Sequence, residues 1–408
     1  MNILHLITSL KVGGAESALV NYLSKVVGKD GNTYSVAYFH HGPNAKKIEN
    51  LGIKTYQISG SISIYDTVFF FRLAKLIKFI KPDVIHSSLW SANIIARLIY
   101  KFSKIPVICD LHGNSFDEGR LRNWFDRRTV NYCAEIVAVS DSVKDSYLKN
   151  IIGSKNLTDA CNCNNECSKM QANANSKLVV IKNGIDVQAL RDKAFKDPLS
   201  RGDLGLSNDD FIVGAVGRLE AIKSYDVLIK AFALLTSFCH SESDPGSKTK
   251  LCIVGDGSQR IQLEALVKAL KIEEHVVFTG FRSDVYKFYP IFDCFALSSQ
   301  SEGLSIALLE AMAFGLPVIS TNLDISSHDV ITPEVNGFLV YPNDIEGYAL
   351  AINKLFKDHQ NGQPLRRDIN KRNLELVRTE FCIDGVVDKY QQLYQTVVGG
   401  SSCGKRKF

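Results

Sequence analysis

The stretch NILHLITSLKVGGAESALVNYLSKVV, residues 2–27, decides how the first half of the chain folds. Residues 2–10 are mostly apolar, which is typical of a strand buried on both faces of a parallel sheet. Gly13 and Gly14 predict a tight turn, and apolar residues then recur at helical spacing over residues 17–27. A strand, a glycine-rich loop and a helix in this order predict the first β–α element of a parallel sheet.

The alternation of strand and helix continues along the chain and restarts at FIVGAVGRL, residues 211–219. A chain of 408 residues exceeds the roughly 250 to 300 residues that one hydrophobic core serves. We therefore predict an α/β fold with two doubly wound parallel-sheet domains. The predicted boundaries are an N-terminal domain at 1–190, a linker at 191–210 and a C-terminal domain at 211–375.

Composition gives ordinary globular values, with 45% hydrophobic and 22% charged residues. The N-terminus lacks the basic region of a signal peptide, and Lys11 interrupts its apolar stretch. No apolar run approaches the roughly 20 residues that span a bilayer. We therefore expect a cytoplasmic protein whose ten cysteines stay reduced.

Residues 153–177 are polar and rich in asparagine, and they predict an exposed, mobile loop. The loop contains Cys161, Cys163 and Cys167, but three thiolates at this spacing match no four-ligand zinc pattern. We therefore predict no metal site there. The tail at 399–408 predicts disorder.

Charge is distributed unevenly, because residues 1–200 carry 26 Lys and Arg against 17 Asp and Glu. Two segments of this half, 69–81 and 119–128, mix cations with aromatic residues. The cations and the tryptophan of these segments are Arg72, Lys75, Lys78, Lys81, Arg120, Arg122, Arg127, Arg128 and Trp124. The pattern fits an anionic membrane surface, and it equally fits core-facing helices with charged outer faces.

Two carboxylates stand eight positions apart in SEGLSIALLEAMAFGLPVIS, residues 301–320. Glu302 precedes the predicted helix and could simply cap it, whereas Glu310 lies two turns into a mostly apolar helix. Arg218 and Lys223 follow the predicted strand of FIVGAVGRL. Two cations at the end of a parallel strand can hold a diphosphate, although surface ion pairing explains them equally well.

Loops that contain glycine follow three predicted strands, at Gly13–Gly14, Gly217–Arg218 and Gly255–Gly257. Such loops can bring backbone amides to phosphate oxygens, but glycine here is also ordinary turn chemistry. Neither GxGxxG nor GxxxxGK[ST] is present, which disfavours a dinucleotide dehydrogenase and a Walker-type NTPase.

Several motifs together resemble the GT-B glycosyltransferases of family 4, which are retaining and use nucleotide sugars. The motifs of the second half are AVGRLEAIKSYDVLIKAF, LCIVGDGSQRIQLEALV, VVFTGF and SEGLSIALLEAMAFGLPVIST, and those of the first are HLITSLKVGGAES, VICDLHG, AVSDSVKD and IKNGID. The resemblance implies two Rossmann-like domains facing across a cleft, with the acceptor bound by the first and the donor by the second. It also implies a C-terminal helix at 376–398 that packs back on the N-terminal domain.

The resemblance assigns roles to residues of the second half. Glu310 would bind the donor ribose, and Glu302 the hydroxyls of the transferred sugar. Arg218 and Lys223 would stabilise the departing diphosphate. The remaining predicted donor-binding residues of this half are Gly303, Leu304, Ser305, Gly280 and Phe281.

In the first half the resemblance places Gly14, with Gly13, near the diphosphate. His112 would lie close to the anomeric carbon, and His86 would line the acceptor side. Family members react on one face of the sugar, where the leaving phosphate helps to deprotonate the incoming hydroxyl. We therefore nominate no separate general base.

Two positions depart from the family pattern, since Ser224 stands where glycine is usual and Asp329 where glutamate is common. A DxD triplet, typical of metal-dependent transferases, is not found. We therefore expect neither a metal nor a cofactor besides the donor, and we expect side chains to supply the positive charge.

The prediction is a retaining glycosyltransferase that moves a sugar from a UDP- or GDP-sugar to a glycan or glycolipid acceptor, in surface polysaccharide or lipopolysaccharide synthesis. An alternative is a storage-glucan or sucrose-type synthase of the same fold, and another is a noncatalytic nucleotide-sugar-binding protein. No nucleic-acid partner is expected.

Overall fold

The computed structural model describes residues 1–58, 67–113, 119–152, 177–239, 249–323, 327–362 and 364–401. They form two compact units, and the chain passes from one to the other twice. The first unit comprises Met1–Gly184 and the helix that begins at Ile383, and the second unit comprises Ile185–Cys382. The predicted pair of α/β domains is present.

The first unit contains a seven-stranded parallel sheet in the order β3-β2-β1-β4-β5-β6-β7. Its strands are β1 Asn2–Ser9, β2 Thr33–His40, β3 Lys54–Gln57, β4 Val84–Ser88, β5 Val107–Leu111, β6 Glu135–Ala138 and β7 Leu178–Val180. Most positions of β1, β2 and β4 are buried, as expected for strands covered on both faces. The strand order reverses at β1, whose neighbours are β2 and β4.

Among the described residues of the first unit, seven helices connect or cover these strands. They are Gly14–Val26, Pro43–Asn50, Thr67–Ile80, Trp90–Ser103, Gly119–Thr129, Asp141–Ile152 and Ile383–Ser401. The core of this unit joins Ile3 and Ile7 of β1 to Leu23 of the first helix and to Val387 and Tyr394 of the last. The C-terminal helix is therefore an integral part of the first unit.

The second unit contains a six-stranded parallel sheet in the order β10-β9-β8-β11-β12-β13. Its strands are β8 Phe211–Val216, β9 Thr249–Val254, β10 Val276–Phe278, β11 Cys294–Leu297, β12 Val318–Thr321 and β13 Gly337–Val340. Its helices are Val187–Lys196, Tyr225–Cys239, Arg260–Ala269, Ile306–Ala313, Ile345–Gln360 and Pro364–Glu380. The strand order reverses at β8, which lies between β9 and β11.

Residues 191–210, for which we predicted a linker, are part of the second unit instead. The helix Val187–Lys196 begins before them, and the side chain of Asp186 caps it by accepting a hydrogen bond from the Ala189 amide at 3.0 Å. Ala194 is fully buried, and Arg191 donates to the Ala313 carbonyl at 3.0 Å. These contacts fix the segment, so the first crossing between units lies at Gly184–Ile185.

The single C-terminal helix predicted at 376–398 is in fact parts of two helices. One helix ends at Glu380 and the next runs over Ile383–Ser401, with the second crossing between them. The Ile185 amide donates to the Phe381 carbonyl at 2.9 Å. This hydrogen bond joins the two segments of the chain at which it passes between the units. Residues 399–401, predicted as disordered tail, continue the helix.

Several predicted segments cannot be compared with the structure. The cysteine-containing loop lies outside the described residues up to position 176, and the tail does so from position 402. Within the described ranges, no helix combines the length and apolar character that a bilayer crossing requires.

Candidate active site

Lys223 and Glu302 meet at the point where the strand order of the second sheet reverses. Lys223 lies in the loop after β8, and Glu302 lies in the loop after β11, the neighbouring strand. Ligands of open parallel sheets bind beyond the carboxyl ends of the strands at such a reversal. The two predicted residues therefore lie where this architecture forms a site.

The Lys223 ammonium donates a hydrogen bond to Oε1 of Glu302. The same oxygen accepts a hydrogen bond from the Ser299 hydroxyl at 2.7 Å. Ser298 Oγ donates to the Lys223 carbonyl at 2.8 Å, which ties the two loops together. The side chains of the ion pair are 19% and 17% exposed, so the pair is partly desolvated but still accessible to a ligand.

Ser224 occupies the position where the family pattern has glycine. Its φ is 46° and its ψ 43°, so the backbone is in the left-handed region. An L-residue pays roughly 1–2 kcal/mol there, whereas glycine does not. Serine in place of glycine therefore raises the conformational free energy of the backbone next to Lys223. Ser224 is also buried.

Glu310 lies in the helix Ile306–Ala313, which Ser305 caps by accepting a hydrogen bond from the Leu308 amide at 3.4 Å. Its Oε2 atom accepts a hydrogen bond from the Tyr289 hydroxyl at 2.6 Å. Tyr289 is fully buried and stacks on Phe314, with ring centroids 5.7 Å apart. Burial, and then the charge of Glu310, raise the pKa of Tyr289 well above its usual value, so the phenol stays a donor.

The glycines after β8, β9 and β10 serve contacts between loops. The Gly255 amide donates to the Gly280 carbonyl at 3.0 Å. A Cβ atom at Gly255 would overlap the carbonyl oxygen of Gly217, and one at Gly257 would lie 2.5 Å from that of Leu219. Glycine is needed at these positions because backbone packs closely against backbone. This favours ordinary turn chemistry over the alternative that these loops bring backbone amides to a ligand.

The other predicted donor-binding residues of the second unit surround these loops. The side chains of Arg218 and Phe281 are exposed, the latter to 53%. Gly303 and Leu304 are buried in the turn after Glu302. Their contacts with a ligand stay predictions.

Gly13 and Gly14 open the first helix of the first unit, as predicted. Gly14 has open space beside it, whereas a Cβ atom at Gly13 would overlap the carboxylate of Glu16. Glu16 is buried, and its Oε1 accepts a hydrogen bond from the Ser9 hydroxyl at 2.5 Å. The approach of a diphosphate to Gly14 stays a prediction.

His112 follows β5 and belongs to a buried polar cluster within the first unit. Its Nε2 atom lies 3.8 Å from Oδ2 of Asp110, and Nε2 of His86 lies 2.8 Å from Oδ1 of the same carboxylate. Tyr390 donates to Asp110 Oδ2 at 3.1 Å, and the Tyr394 hydroxyl lies 2.6 Å from His86 Nδ1. Neither tyrosine was among the predicted site residues, and both come from the C-terminal helix.

Two histidines of this cluster are neutral at pH 7. Burial lowers the pKa of His112 and His86 lowers it further, while the charge of Asp110 raises it. Burial, together with repulsion from His86, lowers the pKa of His5 well below its usual value. Neither ring nitrogen of His5 has a hydrogen-bond partner among the described residues. A cavity of about 30 Å³ lies against these side chains.

Comparison with known proteins agrees with the predicted family. The family profile Glycosyltransferase Family 4 matches residues 12–157, and the profile Glycosyl transferases group 1 matches residues 197–375. An Escherichia coli enzyme named UDP-Gal:alpha-D-GlcNAc-diphosphoundecaprenol alpha-1,3-galactosyltransferase is 24% identical over 334 residues, which cover 80% of this chain and 78% of that enzyme. The lipopolysaccharide core biosynthesis glycosyltransferase LpsD of Rhizobium meliloti is 31% identical over 197 residues, 48% of this chain and 53% of LpsD.

Solved structures share the fold. HepE of Anabaena, crystallised in complex with UDP-glucose, superposes with a TM-score of 0.77 at 21% identity and covers 97% of this chain and 100% of its own. The predicted GT-B fold is confirmed by this similarity and by the two parallel sheets. Profiles matching both halves of the chain and named glycosyltransferase relatives lead to one conclusion: the chain belongs to the family 4 glycosyltransferases of the GT-B fold.

Proposed function

We propose that the protein is a retaining glycosyltransferase that moves a hexosyl group from a UDP- or GDP-sugar to a glycan or lipid-linked acceptor in surface polysaccharide or lipopolysaccharide synthesis. The observation that carries the proposal is the Lys223–Glu302 pair where the second sheet reverses its strand order. The complex of HepE with UDP-glucose favours UDP over GDP.

The reaction requires positive charge near the leaving group and hydrogen-bond acceptors for the sugar hydroxyls. As the bond from the anomeric carbon to the diphosphate breaks, Lys223 and Arg218 stabilise the negative charge that grows there, worth about 3 kcal/mol per well-placed group. The acceptor oxygen bonds to the same face of the anomeric carbon, and its proton passes to the departing phosphate. We propose that no metal takes part, because these side chains supply the charge.

Glu302 and Glu310 divide the binding of the donor in this proposal. Glu302, held by Lys223 and Ser299, accepts hydrogen bonds from hydroxyls of the transferred sugar. Glu310, held by Tyr289, accepts them from the ribose. His112 of the first unit contacts the transferred sugar.

A panel of nucleotide sugars tests the proposal by donor hydrolysis and by transfer. Glu302→Ala should abolish transfer and leave nucleotide binding nearly intact, whereas Glu310→Ala should weaken nucleotide binding itself. Glu264→Ala is the matched control, because Glu264 is a half-exposed carboxylate of the same unit, paired with Arg260. Wild-type transfer by both Glu302→Ala and Glu310→Ala, or no turnover of any donor, would contradict the proposal.

We further propose that the first unit binds an anionic membrane surface, which suits a lipid-linked acceptor. In the helix Thr67–Ile80, Phe69, Leu73 and Ile77 are buried against the unit. The outer face is not merely charged, because Phe71 and Phe79 are 72% and 73% exposed among the exposed cations Arg72, Lys75 and Lys78. Exposed aromatic rings among cations fit an anionic interface.

The helix Gly119–Thr129 adds a second surface of the same kind. Leu121 is 70% and Trp124 50% exposed, and the Arg128 guanidinium lies 5.6 Å from the Trp124 ring centroid. Sedimentation with phosphatidylglycerol vesicles should show binding that weakens with salt. Phe71→Ser with Phe79→Ser should reduce it, while Phe102→Ser, at a similarly exposed ring of another helix, should not. Equal binding to phosphatidylcholine vesicles, or none at low salt, would refute membrane association.

A further inference from the structure

Asp110 is a buried carboxylate with four polar neighbours in the first unit. Asp110 lies in β5, and His112 follows two positions later, just beyond the strand. Residues two positions apart along a strand point to the same face of the sheet. Ser88 of β4 is in register with Asp110, and its hydroxyl donates to Asp110 Oδ2 at 3.5 Å. The Tyr390 hydroxyl donates to the same oxygen at 3.1 Å. The carboxylate is therefore fixed from a neighbouring strand and from the C-terminal helix.

His86 lies between this carboxylate and the C-terminal helix. The Tyr394 hydroxyl of that helix lies 2.6 Å from His86 Nδ1. Nε2 of the same ring lies 2.8 Å from Asp110 Oδ1, although neither atom makes a hydrogen bond within the described residues. Beside a carboxylate oxygen, a ring nitrogen that carries a proton is favoured over one that presents a lone pair.

The same reasoning applies to His112, whose Nε2 lies 3.8 Å from Asp110 Oδ2. We propose that Asp110 is a positioning residue that keeps the proton of His112 on Nε2, so that Nδ1 accepts a hydrogen bond from a hydroxyl of the bound sugar. This inference rests on the proposed function for the identity of the ligand. Catalytic hydrogen bonds are often long in a free enzyme and tighten when the ligand binds.

The surroundings of His112 decide how its protonation responds to a variant. The titratable groups that line the cavity with it are Asp110, His86, His5, Tyr22, Tyr390 and Lys182. Of these, the Asp110 charge raises the pKa of His112, while burial and His86 lower it. Removing that charge in Asp110→Asn must therefore lower the pKa of His112 and move the acid limb of activity to lower pH.

The first test needs no turnover. NMR of the full-length protein labelled with 15N-histidine, assigned with His112→Gln, should show the Nε2–H tautomer of His112 at neutral pH. Asp110→Asn should mix the tautomers and lower the pKa of His112, whereas Tyr390→Phe, which removes a hydrogen-bond donor to Asp110 but keeps its charge, should not lower that pKa. An Nδ1–H tautomer in the wild type, or a His112 signal unchanged in Asp110→Asn, would overturn the inference.

The second test is kinetic. Asp110→Asn should lower kcat roughly tenfold to a hundredfold through misorientation, with the donor KM within about twofold. On a His112→Gln background it should have no further effect, because one residue acts through the other; additive losses would refute this. Glu135→Gln is the control, since it removes a carboxylate of β6 whose backbone is in register with Ile108, near the other end of β5, and it should leave kcat and its pH profile unchanged. Absence of turnover in the wild type would instead refute the proposed function, with the NMR result still deciding this inference.

Discussion

Removal of the Lys223 ammonium is the most direct test of how the site works. The residue ends the short turn Ala221–Lys223, and its amine is directed to Glu302 rather than to solvent. Lys223→Ala deletes a charge that we place beside the departing diphosphate. Its effect should therefore appear in the chemical step.

The expected magnitude has a catalytic and a structural part. One well-placed charge at the leaving group is worth about 3 kcal/mol, and about 1.4 kcal/mol corresponds to tenfold in rate, so kcat should fall about 100-fold. Glu302 also loses its cation. Because the pair is about one-fifth exposed, its loss should cost about 2 kcal/mol of unfolding free energy, between the values for surface and buried pairs.

The assay is release of nucleoside diphosphate at saturating donor, well below the unfolding midpoint of the variant. Lys230→Ala serves as control, because Lys230 forms an exposed pair with Asp226 in the same unit, with side chains 41% and 47% exposed. Such surface pairs contribute about 0.5 kcal/mol or less. A kcat of Lys223→Ala within about threefold of the wild type would refute the role of Lys223 at the leaving group.

Three further predictions concern groups that the structure places around the sites. Tyr289→Phe should weaken UDP binding about tenfold in isothermal titration calorimetry, since it removes a charge-assisted hydrogen bond to Glu310; unchanged affinity would contradict this. Gly255→Ala should lose about 3 kcal/mol or more in urea unfolding through overlap with the neighbouring loop, whereas Gly385→Ala, beside open space, should not. The free energy of unfolding should fall by about 1.4 kcal/mol per pH unit below about pH 6.5 for His5, because burial depresses its pKa in the folded state and only the unfolded chain takes up the proton. His5→Phe should remove that share of the slope, and an unchanged slope would show that His5 does not titrate in this way.

Much of each sheet could be predicted because buried parallel strands leave a simple signal. In β1, residues 3–7 are all buried, and all of them are apolar except His5. Lys223 and Glu302 could be named because they follow strands, and because the motif resemblance assigned them roles. That they touch depends on β8 and β11 being neighbours, which no local pattern states.

The partners that hold the site residues could not be predicted in the same way. Tyr289 precedes Glu310 by 21 positions, and Tyr390 lies 280 positions from Asp110, so only the folded chain joins them. Asp110 could have been predicted from the sequence. It precedes His112 by two positions, and residues two positions apart along a strand point to the same face of the sheet. The linker prediction overlooked Asp186 as a helix cap, and it therefore took an anchored segment for a connection.

The double crossing at Gly184–Ile185 and Cys382–Ile383 determines the order in which the ribosome can complete the two units. Residues 185–382 are contiguous and can fold as soon as they emerge. The sheet of the first unit is synthesised earlier. Its His86 and Asp110 gain their contacts with Tyr394 and Tyr390 only after the C-terminal helix has been synthesised. During translation the first unit is therefore the one that exposes incompletely covered apolar and polar surface.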